Sequence, residues 1–316
     1  MLIGTREAPV PCSLFSIPYC QFPIPCFEEV MKMYAALRNT ILATAVAALV
    51  PAAALAADGT FDKTLHTSGQ VMLSVGTGSG YIHVTPGSSS EVHIVGHVHA
   101  NGFGFGASAD DRVKQVTDRP PIDQSGNIIT IGRHADWIRN VSIDYDITAP
   151  KGTQLEANSG SGDLRLQDLG GPLKANTGSG SIEAGGFTGR VILQTGSGDI
   201  HAGLESANDV KATTGSGNIH LQGVAGALFA ETGSGDIEIG GNPTSDWKLE
   251  TGSGSVTLNV GKAHFSLDAS TGSGSVHSDP PISMHGSIEK HHVQGDINGG
   301  GPTVRIQTGS GDVRIH

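Results

Sequence analysis

The sequence predicts an all-β fold: a parallel β-solenoid (single-stranded β-helix) with coils of 18–20 residues, right-handed because parallel crossovers are. Three observations predict it. Gly-Ser-Gly recurs at 78, 160, 178, 196, 215, 233, 252, 272 and 309. The residues around each copy alternate apolar and polar, the period of a strand with one buried face. Glycine is abundant, 46 of 316 residues, and aromatic residues make up only 5%. Interior glycines cost a helix roughly 1 kcal/mol each relative to alanine, and a narrow interior has little room for rings.

The period is tight. From residue 160 the gaps are 18, 18, 19, 18, 19, 20 and 37. The last is twice the unit and holds Val293-Gln294-Gly295-Asp296-Ile297, which reads as a worn copy. Five residues before the triplet stand aliphatics such as Leu173, Val191, Val210, Leu228 and Leu267, with Trp247 in the same phase. Three before stand Ala175, Leu193, Ala212, Ala230 and Leu249. The repeat itself is carried by Thr177, Gly178 and Gly180, then Thr195, Gly196 and Gly198, then Thr214, Gly215 and Gly217. Thr232, Gly233 and Gly235 follow, and then Thr251, Gly252 and Gly254. A pair of strands this short cannot bury its apolar row alone, but in-register stacking of coils about 4.8 Å apart can. The threonine is expected inward, forming a ladder in which each hydroxyl pairs with the next coil. The glycines are expected to turn the corner at positive φ.

Taken in order, residues 1–30 carry five prolines and all three cysteines and read as a mis-assigned start. Residues 31–56 read as a signal peptide: Lys32 and Arg38, an apolar stretch from Ile41 to Val50, and the cleavage site Ala54-Leu55-Ala56. The remaining chain, from Ala57, has no cysteine and so no disulfide. The expected location is exported, whether periplasmic, cell-surface or extracellular, with no membrane span after cleavage. A net charge of −11 speaks against a nucleic-acid partner. Residues 57–150 form an irregular N-terminal β part with a polar insertion at about 101–126, where Ser108 is placed to cap a short helix over Asp110–Asp118, ended by Pro120-Pro121. Residues 151–316 are the regular repeats. The sequence stops at His316 just after Val313 and Ile315, so its C-terminal coil is expected to be uncapped, an edge for self-association or for a partner.

Asp144-Tyr-Asp-Ile-Thr-Ala-Pro-Lys-Gly152 followed by serial Thr-Gly-Ser-Gly-Asp-Ile gives the chain a resemblance, over about residues 60–316, to the bacterial putative-adhesin β-solenoid family, a domain-of-unknown-function family. The resemblance implies an exported, non-catalytic solenoid with an unknown surface or envelope ligand. It supplies no catalytic residues.

Aspartates after Gly-Ser-Gly invite calcium, but the position runs Asp163, Ser181, Asp199, Asn218, Asp236, Ser255, Ser275, Asp312, mostly alternating charged with neutral. Two carboxylates one coil apart repel by about 0.9 kcal/mol in water, and the pattern mostly avoids that. Short turn-capping side chains explain it. His93, His97 and His99 share one strand face, and His201 and His220 sit on adjacent coils; these five are the metal candidates, although no metal or other cofactor is expected. Glu231 and Glu250 stack at about 5 Å, near a retaining glycosidase's separation. Coils this short leave no loops to wall a water-excluding cleft, and Lys248 beside them makes a surface ion pair the simpler account. Outward Ile192 and Phe229 with Lys211 between them make a thin apolar patch. The serine of Gly-Ser-Gly, present in nine copies and without a strand-to-helix context, is no nucleophile. The reading is therefore not an enzyme but an adhesive or structural envelope protein. A periplasmic scaffold assembling through the C-terminal coil and a histidine-based metal binder are the alternatives.

Overall fold

The computed structural model describes residues 56–101, 108–132, 140–205, 207–284 and 291–316, and leaves aside the side chains of Ala207 and Asn208. All of them belong to one unit, Ala54–His316. The expected start segment and all but the last residue of the expected signal peptide lie outside the described residues.

The strands build two sheets. The first contains β1 (Ala57–His66), β3 (Ile82–Pro86), β4 (Glu91–Ala100), β7 (Val141–Ala149), β9 (Leu164–Gln167), β11 (Ile182–Gly185), β13 (Ile200–Gly203), β15 (Ile219–Val224), β17 (Ile237–Gly241), β19 (Val256–Asn259), β21 (Val276–Ser278) and β25 (Val313–Ile315). The second contains β2 (Met72–Thr77), β5 (Ile122–Ser125), β6 (Ile128–Ile131), β8 (Gln154–Ser159), β10 (Leu173–Thr177), β12 (Gly189–Thr195), β14 (Ala207–Thr214), β16 (Ala227–Ser234), β18 (Trp247–Ser253), β20 (Phe265–Ser273), β22 (Ile282–Met284), β23 (His292–Ile297) and β24 (Thr303–Ser310). Among the described residues one helix, α1 (Ala109–Asp118), accompanies them. Each regular coil runs from the second sheet through Gly-Ser-Gly to the first, and its strands pair in parallel with those of the neighbouring coils. Leu173 lies beside Val191, Ala175 beside Leu193 and Thr177 beside Thr195. The fold is the β-solenoid that the period demands. Its core is one continuous column of these aliphatics, buried between the two sheets.

The inward threonine hydroxyls do link neighbouring coils, and their partners are backbone groups. The hydroxyl of Thr195 donates to the Gly180 carbonyl of the preceding coil at 2.8 Å and accepts from Gly198 N of its own coil at 3.1 Å. Thr177 and Thr214 repeat both bonds, and Thr232 repeats the donation. Thr195→Val should therefore orphan a buried N–H and a buried C=O and destabilise by about 2–3 kcal/mol in urea unfolding; a loss under 0.5 kcal/mol would contradict it. The glycines of Gly178-Ser-Gly180 and Gly196-Ser-Gly198 do not have the expected positive φ. They are glycines because the neighbouring coil passes too close. A Cβ on Gly196 would sit 2.3 Å from the Gly178 carbonyl oxygen, and one on Gly198 1.9 Å from that of Gly180.

The row after Gly-Ser-Gly is a second ladder. Asp163 accepts the amide of Ser181 (2.8 Å), Asp199 that of Asn218 (2.7 Å), Asn218 that of Asp236 (2.9 Å), Asp236 that of Ser255 (2.7 Å) and Asp312 that of Ser275 (3.0 Å). A short acceptor is needed at this position, which is why it holds Asp and Asn.

Both ends of the stack are out of sequence order. The first coil, β2 and β3, lies between β6 and β8 in one sheet and β7 and β9 in the other. The last, β24 and β25, lies between β18 and β20 and between β19 and β21. The C-terminal coil is therefore not uncapped, as its place in the sequence suggested. Its complete Thr308-Gly309-Ser310-Gly311 motif works on both sides. Thr308 donates to Gly254 O at 2.8 Å, and Thr271 donates to Gly311 O at 2.9 Å. The worn copy at 293–297 is not a coil. It forms most of β23, which runs antiparallel to β20 and to β22. It lacks the threonine and the two-glycine corner, so it cannot enter the turn ladder. The strands at the sheet edges are β1 and β21 in the first sheet and β5 and β22 in the second.

At the N-terminal end β1, β4 and β7 pair antiparallel. The inner side of β1 and β4 is covered by α1, with Ala109, Val113 and Val116 buried. Gly59 admits the helix, since a Cβ there would lie 2.4 Å from Val113 Cγ1. Ser108 caps α1 by accepting from Asp111 N.

At the other end Asp268 takes His292 Nε2 at 2.9 Å and Arg305 Nε at 3.0 Å. Partial burial raises its pKa, but the hydrogen bonds and charges of His292 and Arg305 outweigh this and hold it below the usual carboxylate range. A depressed folded pKa gives stability that is present above the ordinary carboxylate pKa and is lost as pH falls through the folded value. The melting temperature of Asp268→Asn should therefore approach that of the unsubstituted protein on going from pH 5 to pH 2. A constant gap would contradict the linkage.

Candidate functional site

Strand alternation puts one row of side chains on the outer face of the first sheet: His83, Arg165, Glu183, His201, His220, Glu238, Thr257, Arg314 and His277. His201 and His220 meet as expected from their adjacent coils, with ring centroids 5.9 Å apart and planes tilted 46°. His220 Nδ1 also lies 3.2 Å from Glu238.

The densest cluster is where β1, β4, β7 and β3 adjoin. On β4 the buried residues Ile94 and Val98 alternate with outward His93, His97 and His99. Antiparallel pairing sets His97 opposite Asp144, and β3 sets His83 beside Asp146. Each histidine meets a carboxylate. His93 Nε2 lies 2.8 Å from Asp62, and His99 lies 2.8 Å from Asp58 and 3.4 Å from Asp144. Asp146 receives both His97 (3.3 Å) and His83 (3.1 Å). Sequence reasoning found the histidines and missed Asp58, Asp62, Asp144 and Asp146. The Asp144-Tyr-Asp146 alternation was visible, but which strand lies opposite it was not. The three β4 histidines are spread over separate carboxylates, and no group of three or more His, Cys, Asp or Glu placed to hold a metal ion occurs among the described residues.

Beside this cluster a shallow cleft of about 270 Å³ is lined by Tyr81, Ile82, His83, Asp146, Asp163 and Arg165. Tyr81 stands directly after Gly78-Ser-Gly80, the position that carries Asp, Asn or Ser in the other copies. Its phenol donates to Asp146 at 2.9 Å, and its amide donates to Asp144 at 2.9 Å. Burial, then the hydrogen bond and charge of Asp146, with Asp144 adding to them, push the phenol up to about 12. Arg165 reaches Glu183 at 3.3 Å and is largely exposed.

The outer face of the second sheet is plainer. Glu231 and Glu250 are register partners, and Lys248 pairs with Glu250 at 2.9 Å. Phe229 lies between Lys211 and Lys248, whose ammonium groups stand 5.5 and 5.4 Å from its ring centroid. Asp163, Asp199 and Asp236, of the row that invites calcium, spend carboxylate oxygens on backbone amides of the next coil.

No curated protein matches this chain. Among solved structures it is similar to a putative adhesin from Bacteroides fragilis, with 14% identity over 82% of this chain and 97% of that one and a TM-score of 0.40. A putative cell adhesion protein from Clostridium sporogenes is similar at 13% identity over 82% of this chain and 99% of that one, with a TM-score of 0.26. The family model described as Toastrack DUF4097 matches residues 124–316. That span takes in the regular coils, their Gly-Ser-Gly ladder and the interleaved C-terminal coil, and the chain belongs to the Toastrack DUF4097 family.

Proposed function

We propose that this protein is an exported, non-catalytic solenoid that acts as a stiff adhesive or structural surface at the cell envelope. One observation carries the reading: in-register stacking turns each outward position into a straight row with one side chain about every 4.8 Å. Twelve and thirteen strands make these rows on the order of 50 Å long. Weak contacts repeated along such a row sum by multivalency. The described cleft is open and shallow, unlike the water-excluding pocket that catalysis uses. Membership of a family without an assigned activity is consistent with this, as is the signal-like composition of residues 31–56. No helix among the described residues is long and apolar enough to cross a membrane.

The test is deletion of the gene followed by surface-attachment and envelope-integrity assays. Loss of attachment with an intact envelope supports adhesion. An envelope defect with normal attachment favours the scaffold reading. Neither defect would overturn both.

A further inference from the structure

We propose that the Tyr81 cleft is a subsite for one neutral sugar residue of a surface glycan. This rests on the adhesive reading and names its ligand class. Four observations carry it.

The first is the break in the repeat. The row after Gly-Ser-Gly serves the amide ladder with short side chains, yet its first copy holds a tyrosine. Tyr81 cannot serve that ladder as an acceptor in the manner of Asp163 or Asp199. It is also the most exposed aromatic among the described residues, at 38%.

The second is rigidity. The Tyr81 hydroxyl is tied to Asp146 and its amide to Asp144. A ring fixed in advance loses little entropy when a ligand stacks on it, and a flat ring suits the C–H face of a pyranose.

The third is the mixture of polar groups. Asp146 and Asp163 are acceptors and Arg165 is a donor. With Nδ1 of His83 turned to Asp146, a proton held there leaves Nε2 as an acceptor. Asp146 already receives Tyr81, His83 and His97, and Asp163 the Ser181 amide, so sugar hydroxyls, which both donate and accept, meet the remaining carboxylate lone pairs, the Arg165 guanidinium and His83 Nε2.

The fourth is charge. Two carboxylates against one guanidinium, which is itself paired with Glu183, leave the cleft net negative and disfavour an anionic ligand. A neutral polyol does not meet that penalty. The cleft volume of about 270 Å³ accommodates a single ring and not a branched core.

The experiment applies the purified full chain to a glycan array of neutral and acidic oligosaccharides, and then titrates free methyl hexopyranosides. The expected result is binding to neutral glycans, weakened about tenfold or more by Tyr81→Ala and less by Tyr81→Phe, which keeps the ring but loses its tie to Asp146. Should Tyr81→Ala fail to fold, Arg165→Met, on an exposed side chain, must weaken binding in its place. No neutral-glycan binding, binding confined to acidic glycans, or binding indifferent to these substitutions in folded protein overturns the proposal. The two readings fail separately. If Tyr81→Ala restores attachment to a deletion strain, the cleft is refuted and adhesion stands. If the deletion strain attaches normally, adhesion is refuted whatever the array shows.

Discussion

Replacing Gly198 by alanine should destabilise the protein by about 3 kcal/mol or more, at the upper end of overpacking effects. The added Cβ would sit 1.9 Å from the Gly180 carbonyl oxygen, 2.4 Å from its carbon and 2.8 Å from Ser181 N. All three are backbone atoms. Moving them means moving a coil that is itself bonded on both sides, so the clash cannot be relieved by one side chain giving way. Two controls separate this cause from the alternatives. Ser197 is exposed, and Ser197→Ala should change stability by no more than about 0.5 kcal/mol. Gly170 has φ +70° and no heavy atom within 4 Å of a built Cβ, so Gly170→Ala carries only the left-handed backbone cost of about 1–2 kcal/mol. Urea unfolding of the three variants gives the comparison. A Gly198→Ala loss no larger than that of Gly170→Ala would refute close coil approach as the reason for the motif.

Truncation after Pro302 should unfold the C-terminal end of the stack. It removes Val304, Ile306, Val313 and Ile315, all fully buried. At about 1.5–3 kcal/mol each, that is roughly 6–12 kcal/mol of apolar burial, comparable with the whole stability of an ordinary domain. It also withdraws the strands that bond β18 to β20 and β19 to β21. Loss of a terminal coil would merely shorten the rod, whereas loss of this one leaves β20 and β21 without their parallel partners, and with β20 the antiparallel β23 and β22 that hang on it. Hydrogen exchange should accordingly show fast exchange over residues 265–284 and 291–297 in the truncated chain. Slow exchange retained over 265–271, as from β20 closing directly onto β18, would overturn the prediction.

The candidate site was half legible for a physical reason. Alternation within β4 fixes that His93, His97 and His99 point the same way, because that is local geometry. It cannot say that β7 rather than another strand lies alongside. The partners Asp144 and Asp146, and the cleft they share with Tyr81, depend on a long-range pairing. Glu231 and Glu250 were easier, since both belong to regular coils whose neighbours are set by the period.

By itself the sequence determined the coil length, the inward and outward rows, the two-sheet solenoid and the positions where glycine is obligatory. Each follows from a period that every regular coil repeats, so local pattern and tertiary contact coincide. Only the tertiary structure decided the order of the coils at the two ends, the antiparallel run of β23, and what the threonines and glycines of the turn touch. The physical reason is that a complete Thr-Gly-Ser-Gly coil offers the same ladder on both of its sides. The repeat makes many neighbours locally acceptable, and packing of the whole stack, with α1 on one end and the β22–β23 hairpin on the other, selects which neighbour each coil has.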